Sequence, residues 1–294
     1  MLRNTFCHIK GVGKVRERQI WDAGILSWDD VLDDAKYHRL LKKADGAIGP
    51  ELAETIEKAV VHSVSRLESG DLTYFFKRLP PQEHWRAFRE FRDAAAYFDI
   101  ETDGLSPETG HITTIALYDG RAINSYIYGG NLHEFPGDIA GYKLIVTYNG
   151  KGFDVPFCNR YFGVKIGLPH IDLCHVMHSL GYYGGLKGTE KALGLSRGGL
   201  DGVDGYFAVL LWNEYENTDN IRALETLIAY NIEDSVNLEH LMITAYNLKL
   251  KQFPKFSHYE MKFPARPESN YKPDPLLIEK LKKRHPGFTG KSSI

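Results

Sequence analysis

Apolar and polar positions along this chain fall into a few clear patterns, and each predicts an element. The stretch from Ala95 to Leu105 runs from small and aromatic residues into Asp99, Ile100 and Glu101 and is broken by Gly104. That pattern predicts a buried strand with turn chemistry at its end. Ile112–Tyr118 and Ala122–Tyr128 flank Asp119-Gly120 and predict two further strands joined as a hairpin. Lys143–Tyr148 predicts a fourth, apolar strand. Helical periodicity marks the residues after a Gly11-x-Gly13 turn, with Val15, Ile20 and Trp21 apolar and Gly24 as a C-cap. A short helix from Trp28 and an amphipathic helix from Pro50 to Leu67, ending near Gly70, follow. Leu72–Leu79 reads as a bridge, Pro80-Pro81 as a boundary and Glu83–Phe91 as helical. Later come helices over Val155–Phe162 and from Leu186 toward Arg197, then a Gly198–Gly202 loop. Ile221–Leu248 predicts one long helix, with Leu224, Leu227, Ile228, Ile232, Val236, Leu238 and Leu241 apolar.

With 294 residues and 43% apolar content the chain can fold as one large domain plus a small one. No apolar run approaches the roughly 20 residues needed to cross a bilayer, and the first residues lack a signal-peptide core. Cys7, Cys158 and Cys174 are odd in number and have no paired spacing, so reduced thiols in a cytoplasmic protein are expected. The net charge of −2 argues against a strongly basic nucleic-acid binder. Its distribution changes the picture: residues 1–20 and residues 272–294 each carry +4, leaving −10 in the middle. Basic ends around an acidic body fit a protein that grips phosphates at its edges and holds metal in its centre, and they also fit two solvated ends.

The acidic positions carry the candidate chemistry. Asp99 and Glu101 share one face of their strand, while Phe98 and Ile100 point the other way. Two neighbouring carboxylates at a buried strand end repel each other and lose solvation unless a cation sits between them. A solvated turn with a stray acidic pair is the alternative. Asp154 follows the Gly-rich turn Tyr148-Asn149-Gly150-Lys151-Gly152-Phe153. It is either a cleft-facing carboxylate or the N-cap of the next helix. Asn149 carries an amide suited to a sugar or phosphate. Tyr230 and Asp234, four residues apart, face the same way on a helix, whereas Glu233 points elsewhere. Alone such a pair is either structural, the commoner case, or part of a site.

Other motifs are weaker. Gly11 and Gly13, with Lys10 and Lys14, stand at the mouth of a helix, where backbone N–H groups can meet a phosphate; a small helical cap is the alternative. His170, Cys174 and His178 have helical spacing but no partner pair, which argues against a structural zinc site. Lys187, Lys191 and Arg197 either touch a phosphate backbone or are solvated. Tyr148, Tyr161, Tyr182 and Tyr183 are base-stacking or packing residues.

Phe98-Asp99-Ile100-Glu101-Thr102, Tyr148-Asn149-Gly-Lys-Gly-Phe-Asp154-Val-Pro and Tyr230-x-x-x-Asp234 resemble, in order and separation, the three exonuclease motifs of the DEDD superfamily. The tyrosine resembles the DEDDy branch, which includes the proofreading domains of B-family DNA polymerases. The chain as a whole looks like the YprB-type ribonuclease H-like proteins. Its lead-in resembles the hairpin and second helix of a helix-hairpin-helix, although eight residues are too few for the first helix. The resemblance implies an α/β, ribonuclease H-like fold: three antiparallel strands, then parallel strands, helices on both faces, and a fifth strand near His170–Leu173. It implies an exonuclease domain over 75–250 after a helical region over 1–70; the composition of residues 251–294 reads as a Pro-rich then basic tail with a short helix at Leu276–Lys283.

The implied activity is 3′–5′ exonucleolytic hydrolysis of single-stranded DNA or RNA ends with two Mg²⁺ or Mn²⁺ ions. Asp99, Glu101, Asp154 and Asp234 would hold the ions, with Asp99 bridging, and Tyr230 would orient the attacking water. Asn149, Thr102 and Lys187 would contact substrate. The partner is a nucleic-acid 3′ end; protein partners are not legible and no membrane is expected. The rival expectation is an idle nucleic-acid-binding module or an adaptor in a repair or RNA-processing complex.

Overall fold

The computed structural model describes residues 1–44, 48–195, 197, 200 and 203–285. Most of the predicted Gly198–Gly202 loop and the end of the basic tail therefore lie outside the described residues. The chain forms two compact units. One comprises Met1–Arg92 with Phe253–Glu260, the other Asp93–Gln252 with the chain from Met261 onward.

The second unit is built on one five-stranded sheet with the order β3-β2-β1-β4-β5. The strands are β1 (Ala95–Thr102), β2 (Ile112–Tyr118), β3 (Ile123–Ile127), β4 (Leu144–Thr147) and β5 (His170–Asp172). β1 to β3 pair antiparallel in sequence, and β4 and β5 run parallel to β1. A hairpin needs only the Asp119-Gly120 turn, where Asp119 accepts from the backbone N–H groups of Arg121 and Ala122 at 2.9 and 2.7 Å. Parallel neighbours need a crossover, and here the connections carry the helix Asp154–Phe162.

Alternation along β1 sorts its side chains. Ala96, Phe98 and Ile100 join a core with Ile115, Leu117, Phe135, Ile145, Phe157 and other apolar residues. Removing a ring such as Phe98 from that core costs about 3–5 kcal/mol. The opposite face, bearing Asp99 and Glu101, lies under the long helix Ile221–Leu250. That helix is fastened by polar bonds to the sheet: Ser235 Oγ donates to the Ala116 carbonyl at 2.9 Å, and Tyr118 Oη donates to Glu239 Oε2 at 3.1 Å. Buried polar groups with partners fix register as apolar contacts alone do not.

Several elements differ from expectation. Leu72–Phe76, read as a bridge, is a helix whose first turn is capped by Asp71 accepting from Tyr74 N–H. The expected helix over Glu83–Phe91 is a 3-10 turn, Pro81–Ala87, leading into Phe88–Phe91. The helices Gly205–Thr218 and Asp34–Leu41 had no clear signal. Pro275–Arg284 contains the short helix expected in the tail. Among the described residues no helix is long and apolar enough to cross a membrane, and the three cysteines are free.

The first unit is organised around Glu17. Its Oε1 accepts from Thr5 Oγ1 at 2.6 Å and from Phe6 N–H at 2.8 Å, and its Oε2 accepts from Arg86 Nη1 at 2.9 Å. Arg86 also donates to Glu83 at 2.6 Å. Breaking such a buried pair typically costs about 3–5 kcal/mol. The helix Lys14–Asp22 begins after Gly13 and ends where Gly24, at φ +95°, takes the left-handed turn. Ile20 and Trp21 are buried, but Val15 points to solvent.

Candidate metal centre

Three carboxylates meet above the middle of the sheet. Asp99, Glu101 and Asp234 each offer an oxygen, and these oxygens all lie within 4.8 Å of one another. β1 supplies the first two because residues two apart share a face. The long helix supplies the third, one turn beyond Tyr230. Asp99 is half-buried, and Glu101, Asp154, Tyr230 and Asp234 are buried.

Asp154 is delivered by the Gly-rich turn. Asn149 sits at φ 62°, a left-handed conformation that asparagine tolerates. Gly150 is required, because a Cβ there would overlap the Thr147 side chain. Asp154 is the first residue of its helix, and the N-cap position is held by Phe153. Its Oδ1 accepts from Ile100 N–H at 3.2 Å, which holds the carboxylate against β1, although it is not one of the three whose oxygens lie within 4.8 Å of one another.

The electrostatics follow from this crowding. Burial pushes the Asp99 carboxyl well up, and Asp154, Glu101 and Asp234 push the same way. Burial and then Asp234 raise Glu101 well above its ordinary range. Burial raises Asp154 to about 7, against the lowering effect of its backbone hydrogen bonds. Burial and mutual repulsion thus make each of these groups bind its proton more tightly than a solvated carboxylate would. Burial, followed by Asp234 and Glu101, raises Tyr230 well above 10.0, so its phenol stays protonated.

Two side-chain cations face this cluster. Lys187 Nζ donates to Tyr230 Oη at 2.5 Å. Arg197 donates to Asp234 Oδ1 and to Glu190 Oε2. Burial lowers the Lys187 ammonium from its ordinary range.

The donor set suits a hard divalent cation. It is all oxygen and carboxylate-rich, the chemistry Mg²⁺ and Mn²⁺ favour. Asn231 Oδ1 and Thr114 Oγ1 are buried without a hydrogen-bond partner among the described residues. Asn231 shares its amide with Asp99, and Thr114 lies opposite Glu101 in the β1–β2 register. Orphaned polar atoms beside the carboxylates are what bound waters of a hydrated cation would satisfy.

The remaining expected residues divide. Lys187 reaches the cluster through Tyr230. Thr102 Oγ1 spends its proton on the Gly104 carbonyl at 2.7 Å. The Asn149 side chain is exposed, while its backbone N–H donates to Asp172 Oδ1 at 2.8 Å. Lys10, Gly11, Gly13 and Lys14 are exposed on the first unit, where Lys14 Nζ pairs with Glu83 at 2.6 Å. Tyr148 is buried against Thr189, and Tyr161 packs on the core; Tyr183 is exposed.

Sequence reasoning missed three groups, Asn231, Glu190 and Asp172, and read Arg197 as a phosphate contact or a solvated side chain, whereas it is buried between two carboxylates. Asn231 binds Asp99. Glu190 and Arg197 bind toward Asp234. Asp172 accepts from the backbone of Asn149, Lys151 and Cys174 and so ties the Gly-rich turn to β5. Only Asn231 carried a signal, as a polar residue beside Tyr230 on an otherwise apolar helix face.

No curated protein matches the chain. The structure of the family B DNA polymerase from the hyperthermophilic archaeon Pyrobaculum calidifontis is similar at 14% identity and a TM-score of 0.40. The similarity covers 61% of this chain and 31% of that one, so the chain spans about a third of the polymerase's length. Residues 96–246, more than half of the chain, match the model of a family described as RNase_H superfamily. With a five-stranded mixed sheet of order β3-β2-β1-β4-β5 and carboxylates gathered on its central strand, the chain belongs to the RNase H superfamily.

Proposed function

We propose that this chain is a metal-dependent 3′–5′ exonuclease of the DEDDy type, acting on single-stranded DNA or RNA ends. The observation that carries the reading is the convergence of Asp99, Glu101 and Asp234 from distant segments to within 4.8 Å, with Tyr230 one helical turn away. Asp99, Glu101, Asp154 and Asp234 would hold two Mg²⁺ or Mn²⁺ ions. Bound there, the ions would neutralise the scissile phosphate and make water a better nucleophile.

The chain's own groups take the remaining roles. Tyr230 keeps its proton, so it orients the attacking water by hydrogen bonding rather than abstracting a proton. Lys187 donates into Tyr230 Oη and thereby turns the phenol's own proton toward a different acceptor. Lys187 also supplies positive charge beside the site for a substrate phosphate. Asn149, exposed at the turn before Asp154, is placed to meet a sugar or phosphate. The product would be a nucleoside 5′-monophosphate. In the first unit, Lys10 and the backbone at Gly11 and Gly13 would give a separate phosphate contact, which Lys14 joins only by leaving Glu83.

The test is degradation of 5′-labelled single-stranded DNA and RNA with Mn²⁺, with and without EDTA, beside Asp99→Asn. Stepwise shortening from the 3′ end that EDTA and Asp99→Asn both abolish is expected. Binding without shortening at matched metal contradicts the proposal.

A further inference from the structure

We infer that Arg197 is a positioning residue for the proposed metal centre: it fixes one oxygen of Asp234 and leaves the other for a divalent cation. The inference rests on the exonuclease reading. Arg197 is buried, and its two terminal nitrogens are committed, Nη2 to Asp234 Oδ1 and Nη1 to Glu190 Oε2. Glu190 is itself held, because Asn237 Nδ2 donates to its Oε1 at 2.8 Å. Arg266 Nη2 in turn donates to Asn237 Oδ1 at 3.1 Å. The guanidinium is therefore anchored from behind and cannot follow Asp234 if that side chain turns.

The charge balance explains why an arginine can stand so close to cation ligands. A lone positive group there would compete with a divalent ion. Arg197 and Glu190 together are neutral, so the pair contributes direction with little net charge. A planar fork can bridge two carboxylates in one fixed geometry, which an ammonium cannot do. Freed of it, the Asp234 carboxylate would rotate in a broad torsional well and spread its oxygens. Outer partners of metal-binding carboxylates set affinity in this way.

The arrangement also joins two elements. Lys187 and Glu190 lie on one helix, Gly185–Leu193, and Arg197 follows its end. Through Lys187 this segment addresses Tyr230, and through Arg197 it addresses Asp234, one turn further along the long helix.

The experiment compares the full chain with the charge-conserving double variant Glu190→Gln/Arg197→Gln, with Arg197→Lys, and with Asp99→Asn. Mn²⁺ binding is read by EPR of the free ion, turnover on a labelled oligonucleotide is measured in parallel, and melting curves check folding. The double variant and Arg197→Lys are expected to bind Mn²⁺ about 10- to 100-fold more weakly. Their kcat should fall while KM for the oligonucleotide stays within about twofold. Wild-type Mn²⁺ affinity in Arg197→Lys, or in a folded double variant, overturns the positioning role. If the double variant fails to fold, Arg197→Lys decides. Undiminished Mn²⁺ binding in Asp99→Asn instead overturns the metal centre itself, so the two failures are distinguishable.

Discussion

Asn231 donates its side-chain amide to both the carboxylate and the backbone carbonyl of Asp99, at 2.9 and 3.1 Å, across 132 residues of sequence. This double bond sets the rotation of the long helix against β1. Asp234, three residues further on, then comes over Asp99 and Glu101. Replacing Asn231 with leucine, which matches its branching but can donate no hydrogen bond, should preserve the helix but release Asp99. We predict about a tenfold loss of Mn²⁺ affinity, measured by titration calorimetry. An unchanged affinity would show that Asp99 needs no such restraint.

Asp99→Asn should eliminate hydrolysis and also stabilise the metal-free protein. The carboxylate is raised by burial and by Asp154, Glu101 and Asp234, and each unit of such displacement corresponds to about 1.4 kcal/mol. A gain on the order of 1 kcal/mol moves the melting temperature up by about 2–4 °C in a chain of this size. A melting curve in EDTA checks it; a lower melting temperature would contradict the repulsion argument.

The pH dependence has a definite sign. Asp154 is raised from 3.8 to about 7, so the folded state binds its proton more tightly than the unfolded state. Its contribution to stability is full below about pH 4 and is lost as pH rises through about 7. Metal-free wild type should therefore weaken over that range relative to Asp154→Asn, by no more than about 4 kcal/mol. Asparagine can keep the bond to Ile100 N–H through its own oxygen, which isolates the titration. Mn²⁺ should remove the effect by taking the proton's place. Denaturant unfolding from pH 4 to 8 measures all three.

Tyr230→Phe should lower kcat by about a hundredfold while leaving Mn²⁺ binding unchanged, since the hydroxyl orients water and holds no ion. Lys187→Met should cost less. Combined with Tyr230→Phe it should add little, because Lys187 acts partly through the Tyr230 hydroxyl. Additive losses in the double variant would mean that Lys187 works on the substrate alone.

The strands and the long helix are legible in the sequence because their periodicity is carried by many residues at once. Asp99 and Glu101 stand out as two acids at the end of an apolar strand, and Tyr230 and Asp234 as polar residues one turn apart on an apolar helix. Asp154 was ambiguous between helix cap and cleft. Its bond to Ile100 N–H, which no local pattern encodes, is what distinguishes them. Arg197 reads on the sequence only as a phosphate contact or a solvated cation beside a Gly-rich loop, for the same reason. Its meaning comes from Glu190 and Asp234, seven and 37 positions away. The helix Gly205–Thr218 gives no period because its buried residues crowd into 207–212 and polar ones into 213–218, so no apolar stripe runs along its length.

The most direct measurement is anomalous diffraction from crystals soaked with Mn²⁺ and a nucleoside 5′-monophosphate. The account predicts two manganese peaks about 3.5–4 Å apart. Asp99, Glu101, Asp154 and Asp234 should lie around them, and the phosphate against both. Absence of manganese from these four carboxylates at saturating concentration would contradict it.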